Sequence, residues 1–155
     1  MRSWRKTFAN TKASAAIEGA LIAPFLIIFS LAALDAGNLM LTIHRVETGL
    51  ASGAALLERA DAPLAHASAA RNFAVSGKTL AGGALTIPGW SADTVQVSIR
   101  SVDNSSGALR GGDAIKIVKL ETEFPYQGLG LLRMAGVGSL MIRASHEERV
   151  FGGGA

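Results

Sequence analysis

Hydrophobic positions fall along this chain in three regimes. From residue 13 to 43 (ASAAIEGALIAPFLIIFSLAALDAGNLMLTI) they are almost continuous, and the sixteen residues between Glu18 and Asp35 carry no charge. At about 1.5 Å per residue, Glu18 to Asp35 rises roughly 25 Å, and counting from Ala13 brings the rise to roughly 33 Å, enough for a hydrocarbon core of about 30 Å. Backbone in lipid must satisfy its own hydrogen bonds, so the segment is expected to be helical despite Pro24. A buried helix of a soluble protein is the alternative, but such a helix is hard to hide in 155 residues.

The second regime begins near Leu39. Leu39, Ile43, Val46, Leu50, Gly53 and Leu57 recur at alternating steps of four and three, while Arg45, Glu47, Glu58 and Arg59 fall largely off that stripe. This is helical periodicity with one apolar side. A single helix over about 14–60 is expected, apolar all round at first and amphipathic later. Small residues at Ala51, Gly53, Ala54 and Ala55 allow another backbone to come close. Asp61-Ala62-Pro63-Leu64 reads as an N-cap and helix start, with a short helix over 65–75 ending near Ser76-Gly77. Residues 80–90 read as loop, with Trp90 anchoring it on a core.

The third regime has period two. Val95, Val97 and Ile99, with Val102 extending the run, alternate with polar residues over 93–102, and a second strand is expected over 114–124. In that strand Ile115, Ile117, Val118 and Leu120 are the apolar positions and Lys116, Lys119, Glu121 and Glu123 point outward, so the slip at Val118-Lys119 suggests a β-bulge. Between the strands, residues 103–113 (DNSSGALRGGD) form a long turn. After Pro125-Tyr126 one or two helical turns are expected over 127–135, with Leu129, Leu131, Leu132 and Met134 as apolar content. A last strand follows over 139–151, with Leu140, Ile142 and Ala144. The tail 152–155 is expected to be disordered. An antiparallel meander of this kind needs one face covered, and the 39–57 stripe supplies the cover. The expected fold class is α+β, with a long N-terminal helix (its first half transmembrane) on a small antiparallel sheet. The expected organisation is a basic cytoplasmic leader (1–13), a transmembrane helix region (14–43), an α+β domain (44–151) and the tail.

Charge fixes the expected orientation. The net charge is +3, and residues 1–12 hold Arg2, Arg5, Lys6 and Lys12 with no acid, which leaves −1 for the rest. No basic patch remains for a phosphate backbone, so nucleic acid is not an expected partner. By the positive-inside rule the leader stays cytoplasmic and the remainder is translocated. The absence of cysteine removes disulfides, thiolate nucleophiles and thiolate metal sites.

Ser14-Ala15-Ala16-Ile17-Glu18, then Gly19-Ala20-Leu21-Ile22-Ala23-Pro24-Phe25-Leu26, then Asp35-Ala36-Gly37-Asn38-Leu39, stand in an order that resembles the TadE-like family of pseudopilins, components of the tight-adherence (Flp-type) pilus machinery. The shared pattern is a small-residue run, a Glu, an apolar segment with an early Pro, and an acidic-x-Gly exit. It covers about the N-terminal third. Ala13 stands where that family usually has Gly ahead of its processing site, and Gly19 where an aromatic often follows the Glu. The resemblance implies a pilin-like outline, an inner-membrane location with a periplasmic domain, other pilins and pilus-assembly proteins as partners, and a prepilin peptidase cutting between Ala13 and Ser14. It also implies that Glu18 pairs with the new amine on Ser14 of a neighbouring subunit.

On physical grounds Glu18 is the candidate of most interest, because a carboxylate inside a bilayer is costly and functional by default; the plain alternative is a side chain reaching the cytoplasmic interface. Pro24 is either a bend used in assembly or a tolerated membrane proline. Asp35 marks the exit from the membrane or meets a partner helix. Nothing suggests an enzyme, a cofactor, a metal or a small-molecule substrate. His44, His66 and His146 are scattered; His146-Glu147-Glu148 lacks the second His of a zinc-protease helix; Ser98, Ser139 and Ser145 have no nucleophile-elbow context. Gly128-Leu129-Gly130 and Gly136-Val137-Gly138 lack the strand–turn–helix order of a nucleotide loop, and Arg110-Gly111-Gly112-Asp113 is turn chemistry. Two rivals to the pseudopilin remain: a secreted or periplasmic binding protein released after Ser30-Leu31-Ala32 by signal peptidase, and an unprocessed bitopic scaffold of another envelope complex.

Overall fold

A computed structural model describes residues 4–109, 114–134 and 136–151, with side chains described from residue 13 onward. The order is α1 (Trp4–Glu58), a 3-10 turn (Pro63–His66), α2 (Ala67–Ser76), a second 3-10 turn (Ala92–Thr94), β1 (Val95–Asp103), β2 (Ala114–Pro125), α3 (Leu131–Met134) and β3 (Met141–Arg149). The three strands form one antiparallel sheet in the order β1-β2-β3. The layout is the expected α+β one, a long helix and a small antiparallel sheet. Two compact units share the chain: one holds residues up to Asn38 together with Gly128–Gly138, the other Leu39–Gln127 and the residues from Ser139 on.

In the larger unit the apolar stripe of α1 is the roof of the core. Val46, Leu50, Ala54 and Leu57 are fully buried, and Leu39 and Ile43 pack at the margin. The close approach allowed by small residues is made by α2. A Cβ on Gly53 would lie 2.9 Å from the Ala70 carbonyl oxygen, and one on Gly49 only 2.5 Å from that of Ala74. Gly77 closes α2 with φ +70°, its N–H donating to the Phe73 carbonyl, which is the left-handed cap glycine adopts without strain. Trp90 ends the following loop fully buried, its ring stacked on Phe124 with centroids 6.1 Å apart and its Nε1–H donating to Thr122 Oγ1 at 3.1 Å. At the far end of α1 the Phe151 N–H donates to the Glu58 carbonyl at 2.8 Å, serving one of the acceptors that a helix C-terminus leaves open.

The sheet alternates as strands must. Val95, Val97 and Ile99 face Thr122, Leu120 and Val118 across the β1–β2 ladder, and Phe124 faces Ile142 across β2–β3. These positions, with Ala144, complete the core.

Several expectations are corrected. β2 holds no bulge at Val118-Lys119: its pairing with β1 runs in step from Val95↔Thr122 to Asp103↔Ala114. The core set is Val118, Leu120, Thr122 and Phe124, and Ile115, though buried, belongs to the other face and lies outside the main cluster. Asp61 does not cap a helix. Pro63 opens a 3-10 turn behind Ala62, which makes no side-chain cap bond, and α2 starts only at Ala67. α1 begins at Trp4, not near Ser14. The second half of the 103–113 turn, Arg110 to Asp113, and the tail 152–155 lie outside the described residues; in the first half, Asn104 exchanges two hydrogen bonds of 2.9 Å with the Leu109 backbone.

Candidate functional site

The smaller unit holds the residues that the sequence singles out. Along α1 from Ile17 to Leu34 the large apolar side chains are exposed on every side, with Phe25 at 74% and Phe29 at 75%. A stretch within Ala13–Glu58 is long and apolar enough to cross a membrane, and none of its most apolar window is buried within the protein. Exposure of this kind all round a helix in water would be a severe liability; in a bilayer it is the expected surface.

Glu18 is exposed near the start of that stretch and accepts a hydrogen bond from Ser14 Oγ at 3.3 Å, one turn earlier. The helix runs unbroken through Pro24, whose missing N–H leaves the Ala20 carbonyl without its usual helical donor. Ala13 and Ser14, the candidate processing pair, are exposed and helical.

Asp35 behaves differently. It is 1% exposed, and its carboxylate accepts the backbone N–H of Leu129 at Oδ1 (3.2 Å) and that of Leu132 at Oδ2 (3.0 Å). The segment that supplies these donors folds on itself: the Met134 N–H donates to the Gly130 carbonyl, that of Gly136 to Arg133, and that of Val137 to Leu132. Gly130 and Gly136 take φ +80° and +85°, a region closed to most side chains. The carboxylate therefore meets α3 of its own chain. An acid at the bilayer centre costs about 2.5–3.5 kcal/mol on insertion scales, and two charge-assisted bonds from amide donors are the ordinary means of offsetting that cost. The helical turn expected over 127–135 is present at Leu131–Met134, but its role as the donor to Asp35 is not visible in the apolar pattern. The available signal was five apolar residues, Leu129, Leu131, Leu132, Met134 and Val137, set between glycines with Arg133 as their only charge.

Beside Ile115, the outer face of the sheet carries a row of ion pairs. Arg100 meets Glu147 at 2.8 Å, Arg143 meets Glu123 at 2.7 Å, and Lys119 meets Glu121. Hydrogen bonding to Arg143 holds the Glu123 carboxyl below its usual range. Arg100 does the same to Glu147, with Lys119 adding to it, and Glu121 holds the Lys119 ammonium above its usual range. An open depression of about 410 Å³ beside these pairs is lined by Thr94, Gln96, Glu121, Glu123, Arg143 and Ser145 among others. His44 and His66 are exposed, and His146 Nε2 lies 3.2 Å from Glu148 Oε2. Among the described residues no three of His, Cys, Asp and Glu converge as metal ligands do. What the arrangement can do is span a bilayer and present a charged sheet. No family model, curated protein or solved structure matches the chain.

Proposed function

We propose that the protein is a membrane-anchored pseudopilin of the TadE-like kind, acting structurally in the assembly of a tight-adherence (Flp-type) pilus. On this reading it sits in a bacterial inner membrane as a single-pass protein, N-terminus cytoplasmic and α+β domain periplasmic, and works through other pilins and pilus-assembly proteins. The observation that carries the reading is one helix with two characters: exposed apolar surface all round its first part, and a buried stripe over a small antiparallel sheet in its second. The order of small-residue run, Glu18, Pro24 and acidic exit at Asp35 supports it further. Glu18 would pair with the amine of Ser14 on a neighbouring subunit once a prepilin peptidase has cut after Ala13. Within one chain, Ser14 already lies one helical turn from the carboxylate.

Mass spectrometry of the N-terminus of the protein from native membranes tests this. A start at Ser14 is expected. A start near Ala33 identifies a cleaved signal peptide and a released binding protein, and an intact Met1 identifies an unprocessed bitopic scaffold. In addition, Glu18→Ala is expected to abolish or sharply reduce pilus output while the chain still fractionates with membranes after alkaline carbonate extraction. Normal output from that variant would remove Glu18 from the mechanism.

A further inference from the structure

We propose that Gly128–Gly138 is a second membrane contact: an interfacial loop seated in the headgroup–acyl boundary of the leaflet where the apolar run of α1 ends, with Leu129, Met134 and Val137 turned to lipid. The inference rests on α1 spanning the bilayer and is independent of the pilus assignment.

Position comes first. The bonds from Leu129 and Leu132 to Asp35 hold the loop against α1 at the level of residue 35, and at 1.5 Å per residue that level is roughly 25 Å from Glu18. A hydrocarbon core of about 30 Å that begins at Glu18 ends roughly three residues beyond Asp35. The helix itself stays apolar past that point, since Met40 and Leu41 are exposed and the next charge is Arg45. Asp35 thus lies at or just inside the far boundary, and whatever covers it meets lipid.

Composition agrees. A cover facing water would turn polar groups outward. This one exposes Leu129 at 63%, Met134 at 84% and Val137 in part, while Leu131 and Leu132 are half-buried. It has no acid. Its one charge, the exposed Arg133, suits a lipid phosphate, because a long basic side chain can keep its stem in apolar surroundings and its head among headgroups. Backbone satisfaction is the third argument: Leu129 and Leu132 give their N–H groups to Asp35, and Met134, Gly136 and Val137 give theirs to carbonyls within the segment. Irregular backbone near lipid requires that.

The chain contains no cysteine, so single-cysteine labelling is unambiguous. The full chain is reconstituted into phosphatidylethanolamine–phosphatidylglycerol vesicles with a fluorophore at Leu129→Cys or Met134→Cys, and at Phe25→Cys and Ser98→Cys for comparison. Quenchers are a nitroxide lipid labelled near the headgroup, one labelled deep in the acyl chain, and a water-soluble nitroxide. At 129 and 134 the shallow lipid quencher is expected to remove most emission and the aqueous quencher little. Position 25 is expected to answer to the deep quencher and position 98 to the aqueous one. If 25 is quenched from deep lipid while 129 and 134 answer only to the aqueous quencher, the loop faces water and the inference is overturned with the span intact. If 129 and 134 are protected from both kinds of quencher, another protein copy covers them and the inference is likewise overturned. If 25 itself is water-accessible, the span fails and the inference fails with it.

Discussion

Leu26 and Leu50 are the same residue in the same helix, yet one is largely exposed and the other fully buried. Around Leu26 the neighbours on every side are apolar and equally exposed. Around Leu50 only one stripe is apolar, and Gly49, Gly53 and Ala54 bring α2 and the Trp90 ring down onto it. The difference lies in the periodicity of the apolar positions and not in their number. An apolar run without a preferred side calls for an apolar solvent, whereas one with a period near 3.6 calls for a protein surface. One continuous helix meets both conditions because its sequence changes pattern near Leu39.

Truncation should separate the two regions most sharply. Leu50→Ala leaves a cavity in a close-packed core and is expected to destabilise the larger unit by about 2–5 kcal/mol. Leu26→Ala leaves no cavity, removes only lipid contact, and is expected to cost about 0.3–0.6 kcal/mol of insertion free energy. Denaturant unfolding of the full chain in mild detergent, followed by near-UV circular dichroism, reads the first; membrane fractionation reads the second. Equal losses of folding stability from both variants would show that the first half of α1 is also packed against protein.

Glycines give a comparison of opposite sign. A Cβ on Gly49 would come within 2.5 Å of the Ala74 carbonyl oxygen and 2.6 Å of Trp90 Cη2, and the first of these is backbone that cannot rotate away. Gly49→Ala is therefore expected to destabilise by about 1–3 kcal/mol through overpacking. Gly19 has nothing within 4 Å of its would-be Cβ, so Gly19→Ala is expected to be neutral or to strengthen the helix by about 0.5–1 kcal/mol. The same detergent unfolding experiment ranks them, and a stabilised Gly49→Ala protein would mean that α2 can move away from α1.

What the sequence disclosed follows the same division. Patterns that repeat within one element were legible: the apolar run, the 39–57 stripe, and the alternation of Val95, Val97 and Ile99. Features that depend on partners far along the chain were not. Asp35 looks like an exit marker because its acceptors' donors, Leu129 and Leu132, lie 94 and 97 residues away. Gly49 escaped notice because it sits beside the stripe, and only the arrival of Ala74 and Trp90 makes its missing side chain necessary. β2 misled for a different reason. Ile115 is buried on the face opposite Val118, so one strand shows two apolar sets, which on paper mimics a bulge. Of the candidate site, Glu18, Pro24 and Asp35 could be picked out from their setting in an apolar run; the cover over Asp35 could not.

Acid sensitivity sharpens the comparison at its finest scale, because described charges are sparse in the apolar half of α1 and dense on the sheet. Glu123 and Glu147 are held below the usual carboxylate range by their bonds to Arg143 and Arg100. Their pairing therefore adds stability that is fully present above the usual carboxylate range and fades as pH falls through the lowered folded values. Lys119, raised by Glu121, acts at the other end. Its contribution is complete below the ordinary lysine range and disappears only as pH rises through the raised value, so it leaves neutral pH untouched. These side chains are exposed or half-exposed and screened by salt, so the expected effect is small. A Glu123→Gln, Glu147→Gln protein should unfold at a slightly lower temperature than the parent near neutral pH in low salt, and the difference should close both on acidification and on adding salt. Leu26→Ala, which touches no charge, should show neither dependence. A gap between the parent and the double variant that persists at acid pH would mean that the two carboxylates act through something other than their ion pairs with Arg100 and Arg143.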